Sequence, residues 1–337
     1  MELNNLLFEI ILILIKVAVV LGLVLLHAAY TVYAERKIIG RMQARLGPSE
    51  VGPFGLLQPI ADLLKLLTKE DIVPLEAERL IFLIAPLIVL TFAIVNLSII
   101  PFYPSFVVAD VNIGVLLILA CASIAVYGII LGGWSSGSKY SLLGGLRSAA
   151  QVLSYEIPLS MCLAAVILSA ESFKLSDIVN YQAQSLFGMN IIPQILGFIV
   201  FLICAFAETN RAPFDLPEAE SELVAGYITE YSGFRMGMFF LAEYTSMYVM
   251  SLLIVHCYLG GWTLPNWLLT IIPPLKYLPT PIILLFKVYF FIFLFIWVRA
   301  TYPRYRFDQL MNMCWKIFIP ISLLNFLIVA FLKWGGF

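Results

Sequence analysis

The chain has 337 residues, of which 62% are hydrophobic and 12% are charged, and its mean hydropathy is +0.98. This composition is typical of proteins that cross a membrane several times, and it excludes an ordinary water-soluble domain. The formal net charge of −1 argues against nucleic acid as a partner. The five cysteines are widely spaced and include no Cys-x-x-Cys pair, so we expect no metal site, no iron–sulfur cluster and no disulfide framework.

Apolar stretches long enough to cross a bilayer recur along the whole chain. A span needs about 20 residues, and the stretch 157–170 reaches that length only when the segment from 146 is counted as part of the same helix. We predict an all-α polytopic membrane protein that forms a single membrane domain over residues 1–337. Its eight predicted transmembrane helices are 7–33, 80–100, 111–131, 146–170, 191–207, 236–256, 281–300 and 311–332.

The loop after the first span contains a stretch with helical periodicity. Over residues 55–69, leucine and isoleucine fall on one face, and Asp62, Lys65 and Lys69 fall on the other. We predict an amphipathic helix that lies on the cytoplasmic surface of the membrane. It is either an interfacial anchor alone or one wall of an entrance for an amphiphile that arrives from the lipid.

The basic residues indicate the orientation of the chain. The side opposite the basic loops has little positive charge beyond Lys174, Lys276 and Lys333. Since cytoplasmic loops carry the excess of lysine and arginine, both termini are predicted on the outer, periplasmic side. The loops that hold most of the bases, and are therefore predicted to be cytoplasmic, are 34–79, 134–156, 208–235 and 299–310.

One cytoplasmic loop, 207–235, is strongly acidic. Only Arg211 and Arg235 oppose six acids there, and crowded or buried carboxylates titrate closer to neutral pH than isolated ones. Groups of this kind can pass protons, although a solvated acidic loop with a well-capped helix is the alternative. The six acids are Glu208, Asp215, Glu218, Glu220, Glu222 and Glu230.

Further ionisable residues are predicted inside the membrane. Glu156 and Glu243 lie several residues into their spans, and a charge at the bilayer centre costs about 3 kcal/mol on insertion scales. We therefore expect both side chains to face the protein interior or a wet path. Lys16 and Lys287 are weaker candidates, because long side chains reach the interface. Glu35 either belongs to the headgroup boundary or joins the acids in one cytoplasm-facing cavity.

Three stretches carry a family pattern: YAERKIIGRMQARLGPSEVGPFGLLQPIADLLKLLTKED, GLRSAAQVLSYEIPL and AETNRAPFDLPEAESELVAGYITEYSG. The chain resembles the H subunit of respiratory complex I, the mitochondrial subunit 1 family of NADH:quinone oxidoreductase, over nearly its whole length. The resemblance implies a subunit that lines the quinone tunnel and couples quinone reduction to proton translocation. It also implies that this chain binds no redox cofactor, and that FMN and iron–sulfur clusters belong to partner subunits.

The resemblance also assigns roles to individual residues. Arg36, Arg45 and Asp62 are similar to family residues at the quinone tunnel and the junction of the two arms. The acids expected to carry proton or charge coupling are Glu35, Glu156, Glu208, Asp215, Glu218, Glu220, Glu222, Glu230 and Glu243.

The resemblance implies partners and a location as well. We expect the quinone-site and terminal iron–sulfur subunits on the cytoplasmic side, and small and antiporter-like subunits in the membrane. The predicted location is the bacterial inner membrane, or alternatively an organellar inner membrane. Competing interpretations are the equivalent subunit of a membrane-bound hydrogenase or of a deazaflavin- or ferredoxin-linked dehydrogenase, and a stand-alone ion transporter.

Overall fold

The computed structural model describes residues 2–104, 106–185, 188–217 and 220–335. It is 75% helical, and the described residues contain no β-strand. The all-helical prediction is therefore confirmed. The helices, numbered in chain order, are α1 Glu2–Met42, α2 Gln58–Thr68, α3 Arg79–Ile99, α4 Gly114–Ser135, α5 Lys139–Ala170, α6 Leu175–Gln184, α7 Ile195–Glu208, α8 Glu220–Leu223, α9 Gly233–Tyr258, α10 Asn266–Ile271, α11 Thr280–Thr301, α12 Phe307–Met313 and α13 Ile319–Trp334.

Within the described part of the chain, seven helical segments are long and apolar enough to cross a membrane. Six are α1 from Ile11 onward, α3, α4, α5, α9 and α11; the seventh is 307–334, in which a π-helical turn joins α12 to α13. They match seven of the eight predicted spans. The eighth prediction, 191–207, coincides with α7, which is apolar but has only 14 residues. That helix covers about 21 Å, whereas the hydrocarbon core is about 30 Å thick.

Two spanning helices are longer than the apolar pattern predicts. The helix α1 continues past residue 33 through the charged residues up to Met42, and α5 begins at Lys139 rather than at 146. Hydropathy marks only the part of a helix that lipid can accept, so polar extensions at its ends escape that signal.

The helix α9 lies at the centre of the bundle. Every residue from Met247 to Tyr258 is buried, so this stretch has no polar face to present to water. The helices α1, α3, α6, α7 and α11 all pack against it. By contrast, α1 and α13 expose many large apolar side chains at the periphery. The second half of α9, from Met247 to Tyr258, therefore lies among the other helices.

Helices α3 and α4 pack closely at Gly128. A Cβ atom there would lie 2.5 Å from Val89 Cγ2 and 2.9 Å from the carbonyl oxygen of Ala85. Small residues of this kind let two membrane helices approach each other.

We expect Gly128→Val to destabilise the protein by about 1–3 kcal/mol, because the added methyl groups must push α3 away from α4. The matched control is Gly22→Val on α1, where no atom lies within 4 Å of the place that a Cβ atom would take. The midpoint of thermal unfolding in detergent measures both variants. Equal midpoints would contradict the close packing.

Candidate functional site: a buried charge cluster beside an internal cavity

The candidate site is built around Arg211, which follows α7 in the irregular segment 209–217. Its side chain is only 1% exposed. Its Nη1 donates to Oε2 of Glu35 on α1 at 2.9 Å, and its Nε donates to Oε1 of Glu243 on α9 at 2.7 Å. The guanidinium also lies over the ring of Tyr244, 4.4 Å from its centroid. One arginine thus joins two carboxylates that are far apart in the sequence.

The two carboxylate partners keep the Arg211 guanidinium positively charged. Burial works against the charged form, but the carboxylates of Glu243 and Glu35 outweigh it and hold the pKa of the guanidinium well above its ordinary value. Arg211 is therefore a permanent cation within the cluster. Its two carboxylate partners, Glu35 and Glu243, lie within hydrogen-bond distance of that fixed charge.

Glu35 is the most heavily bonded acid of the cluster. Besides binding Arg211, it accepts a hydrogen bond from the hydroxyl of Tyr244 at 2.9 Å and forms a direct ion pair with Arg299 of α11. Its side chain is buried. Glu35 is therefore a member of the interior cluster rather than of a headgroup boundary.

An internal cavity of about 60 Å³ adjoins the cluster. Its lining includes Glu208 at the end of α7, Asn210, and Glu243. A water molecule needs roughly 10–15 Å³ measured in this way, so the volume can hold several. The cavity thus brings Glu208 into the same polar space as the carboxylate that Arg211 binds.

Glu156 occupies a separate groove on the side of the bundle. The groove has a volume of about 480 Å³, and its lining includes Glu156, Ser123 and the half-exposed Trp315. The Ser123 hydroxyl donates to Oε1 of Glu156 at 2.8 Å. Helices α4 and α5 contribute residues to both the groove and the internal cavity, so they form the wall between the two.

The other predicted acids lie apart from the Arg211 cluster. Asp215 is buried and accepts from Arg304 at 2.9 Å, whereas Glu222 is exposed and pairs with Arg147 at 2.5 Å. Glu230 is partly buried. Glu218 lies outside the described residues, and of Glu220 only the backbone, at the start of α8, is described.

The three residues predicted at the tunnel and junction do not form one group. Arg36 on α1 binds Asp62 on α2 through Nη1 at 2.5 Å, and Gln58 donates to the same carboxylate at 3.0 Å. Arg45 instead donates to Gln43 at 2.7 Å. The Arg36–Asp62 pair joins α2 to the end of α1.

Sequence reasoning missed the bases and hydroxyl groups that hold the acids. Tyr244, Arg299, Arg304 and Ser123 each bind one of the predicted carboxylates. The excess of acids over bases in 207–235 was the available signal, since buried carboxylates require partners that must then come from other parts of the chain.

We expect Arg211→Gln to destabilise the protein by about 3–5 kcal/mol, because Glu35 and Glu243 would lose a buried counter-charge. The control is Arg306→Gln, whose side chain is 79% exposed and 3.9 Å from Asp308. Thermal unfolding in detergent reports the loss. A further change of Glu243→Gln should restore part of the stability; additive losses in the double variant would contradict the coupling.

Comparison with known proteins is consistent with this architecture. A family model described as NADH dehydrogenase matches residues 15–330. The NADH-quinone oxidoreductase H subunit of Rhodospirillum rubrum is 51% identical over 302 residues, which cover 90% of this chain and 88% of the relative. The H subunit of Rhodospirillum centenum is 49% identical over 307 residues, or 91% of this chain and 89% of the relative.

A relative that carries a different subunit name is similar to the chain to about the same extent. NADH-quinone oxidoreductase subunit 8 of Rhodothermus marinus is 50% identical over 320 residues, covering 92% of this chain and 94% of its own length. Together with seven described helical segments that are long and apolar enough to cross a membrane, these bacterial relatives make the chain a multi-pass bacterial membrane protein. It belongs to the NADH dehydrogenase family, as an H subunit of NADH-quinone oxidoreductase, respiratory complex I.

Proposed function

We propose that this subunit lines the quinone tunnel of complex I and couples quinone reduction to proton translocation through its buried carboxylates. The observation that carries the proposal is the joining of Glu35 and Glu243 by buried Arg211, directly beside a cavity that Glu208 also lines. Such an arrangement transmits a change of charge without moving a helix.

The physical basis is the coupling of neighbouring titrations. Carboxylates that interact strongly share their protons, so a proton taken up at one site changes the proton affinity of the next. Glu243 and Glu208 face one cavity, and Glu243 is bound to Arg211, which binds Glu35. A charge change at one end of this series is therefore felt at the other.

In this proposal, quinone chemistry in the partner subunit demands protons and changes the local field. The acids of the cytoplasmic loop, including Asp215, Glu218, Glu220, Glu222 and Glu230, receive that change first. Glu208, Glu156 and Glu243 pass it on toward the antiporter-like subunits. Glu156 suits the last part of the route, because its groove opens toward the side of the bundle, where a neighbouring subunit can receive the charge.

The tunnel mouth is proposed at the ends of α1 and α2. The exposed leucines of α2 suit a helix lying on the cytoplasmic surface of the membrane, where it forms a wall for a quinone arriving from the lipid. The Arg36–Asp62 pair holds this wall to α1. Arg45, which lies outside that pair, is left for the junction with the cytoplasmic arm.

The proposal also includes a membrane topology and a set of partner subunits. All of residues 1–337 form one domain in the bacterial inner membrane, α7 is the eighth span, and both termini are periplasmic. FMN and the iron–sulfur clusters belong to other subunits, among them the quinone-site and terminal iron–sulfur subunits. The hydrogenase, deazaflavin- or ferredoxin-linked and transporter alternatives are not favoured, since the relatives compared above are named NADH-quinone oxidoreductase subunits.

We expect Glu156→Gln and Glu220→Gln each to lower quinone-coupled proton transfer by about tenfold or more, because an amide cannot accept and release the proton. Proteoliposomes driven by NADH and quinone, with a fluorescent pH indicator, measure this. The control is Glu171→Gln, since that carboxylate is 74% exposed at the other end of α5. Full proton transfer in both variants, correctly assembled, would refute the path.

We expect Asp62→Arg to raise the KM for quinone severalfold, because two cations would then face each other and displace α2 from α1. An exposed pair is worth only about 0–1 kcal/mol, so overall stability should change little. Combining it with Arg36→Asp restores attraction and should recover the KM. A double variant that is worse than both single variants would rule out the pair as a positioning contact.

A further inference from the structure

The chain leaves the helical conformation after α7 and turns back within a few residues. The helix ends at Glu208, and Asn210 adopts the left-handed conformation, with a φ of 49°, which reverses the chain. Further on, the backbone N–H of Phe214 donates to the carbonyl oxygen of Arg211 at 2.8 Å. Glu208, which lines the cavity, and Arg211, which binds two carboxylates, therefore project from one short irregular loop, 207–214.

One side chain closes this loop. The amide Nε2 of Gln151, on α5, donates to the carbonyl oxygen of Ala207 at 2.8 Å and to that of Phe214 at 2.7 Å. An amide NH2 group has two hydrogens, so both are used, and the two accepting oxygens lie roughly 5 Å apart. The Gln151 side chain is fully buried, so these bonds form away from bulk water. The two ends of the loop are thus joined through a single amide.

Gln151 belongs to a face of α5 that contacts the acidic loop at several places. Gly144, Arg147 and Gln151 are three and four residues apart, so they lie on one side of the helix. Arg147 forms a solvent-exposed pair with Glu222 at 2.5 Å, and a Cβ atom at Gly144 would lie 2.7 Å from the Cα atom of Gly226. Of these three contacts, the one made by Gln151 is both buried and directional.

Glutamine suits this place because both of its neighbours are acceptors. A carbonyl oxygen only accepts, so the side chain must offer two hydrogens, and the orientation of the amide is fixed. An ionised glutamate of the same size would direct oxygens at both carbonyls, and methionine would offer no donor. Asparagine would keep the donors but is one methylene shorter.

We propose that Gln151 is a positioning residue for the buried charge cluster. By binding both ends of the loop, it determines where Arg211 meets its two carboxylates and where Glu208 meets the cavity. Hydrogen bonds weaken steeply with distance and angle, so a small displacement of the loop changes these contacts. The part of Gln151 in proton coupling rests on the proposed function, whereas its hold on the loop does not.

Hydrogen–deuterium exchange in the purified complex tests whether Gln151 holds the loop. We expect Gln151→Met to raise the exchange rate of the backbone amides in 207–214 by about tenfold or more, because two buried hydrogen bonds are lost. The matched control is Gln182→Met. Gln182 is also fully buried and donates to the carbonyl oxygen of His256 at 2.7 Å, but near the carboxyl end of α9. Exchange in 207–214 that is unchanged in Gln151→Met would overturn the proposal.

Turnover separates positioning from a general loss of stability. In proteoliposomes driven by NADH and quinone, we expect Gln151→Met to lower proton transfer per assembled complex by about tenfold, while the KM for quinone stays within about twofold. Gln182→Met should lower the midpoint of thermal unfolding as much, yet leave proton transfer per assembled complex unchanged. Equal proton transfer in the two variants would show that Gln151 is structural only.

These outcomes are separable from those for the proposed function. If Glu156→Gln keeps full proton transfer while Gln151→Met loosens the loop and slows turnover, the coupling path fails and the positioning role stands. If Glu156→Gln abolishes proton transfer while Gln151→Met leaves exchange in the loop unchanged, the reverse holds. If Gln151→Met does not assemble, Gln151→Asn carries the same test, because it keeps the amide but is too short to bind both ends of the loop.

Discussion

The central contact of the buried charge cluster is the guanidinium of Arg211, which binds two carboxylates. Arg211 comes from an irregular segment, yet its partners lie on two long helices, Glu35 on α1 and Glu243 on α9, and Glu35 in turn binds Arg299 of α11. Removing a partner from such a network leaves a charge buried without compensation, which costs several times more than a surface ion pair contributes. The charge cluster thus draws its central cation from a segment that belongs to none of the three helices around it.

The apolar and polar parts of the bundle are divided along α9. From Met247 onward the helix is entirely buried and serves packing, whereas its earlier turns present Glu243 and Tyr244 to the charge cluster. The segment 207–214 is held in place from the other side, where Gln151 of α5 donates to the carbonyl oxygens of Ala207 and Phe214. Backbone without helical hydrogen bonds is tolerated here because protein surrounds it.

Much of the fold was predictable because hydropathy acts locally. Seven of the predicted spans and the helical class follow from runs of apolar residues. The position of Glu35 after the first span left two alternatives open, and burial among the acids was one of them. Pairings could not be predicted in this way. Glu35 and Arg211 are 176 positions apart, and the local sequence around either residue does not predict that the two pair. The same reason hid Ser123 beside Glu156.

The shortness of α7 has an electrical consequence. A helix of 14 residues is about 9 Å shorter than the hydrocarbon core, so its carboxyl end and Glu208 lie well below the headgroups if the helix crosses the bilayer. A charge that resides at the end of α7 has already covered part of the electrical distance across the membrane, and moving one elementary charge against 100 mV costs about 2.3 kcal/mol over the full thickness.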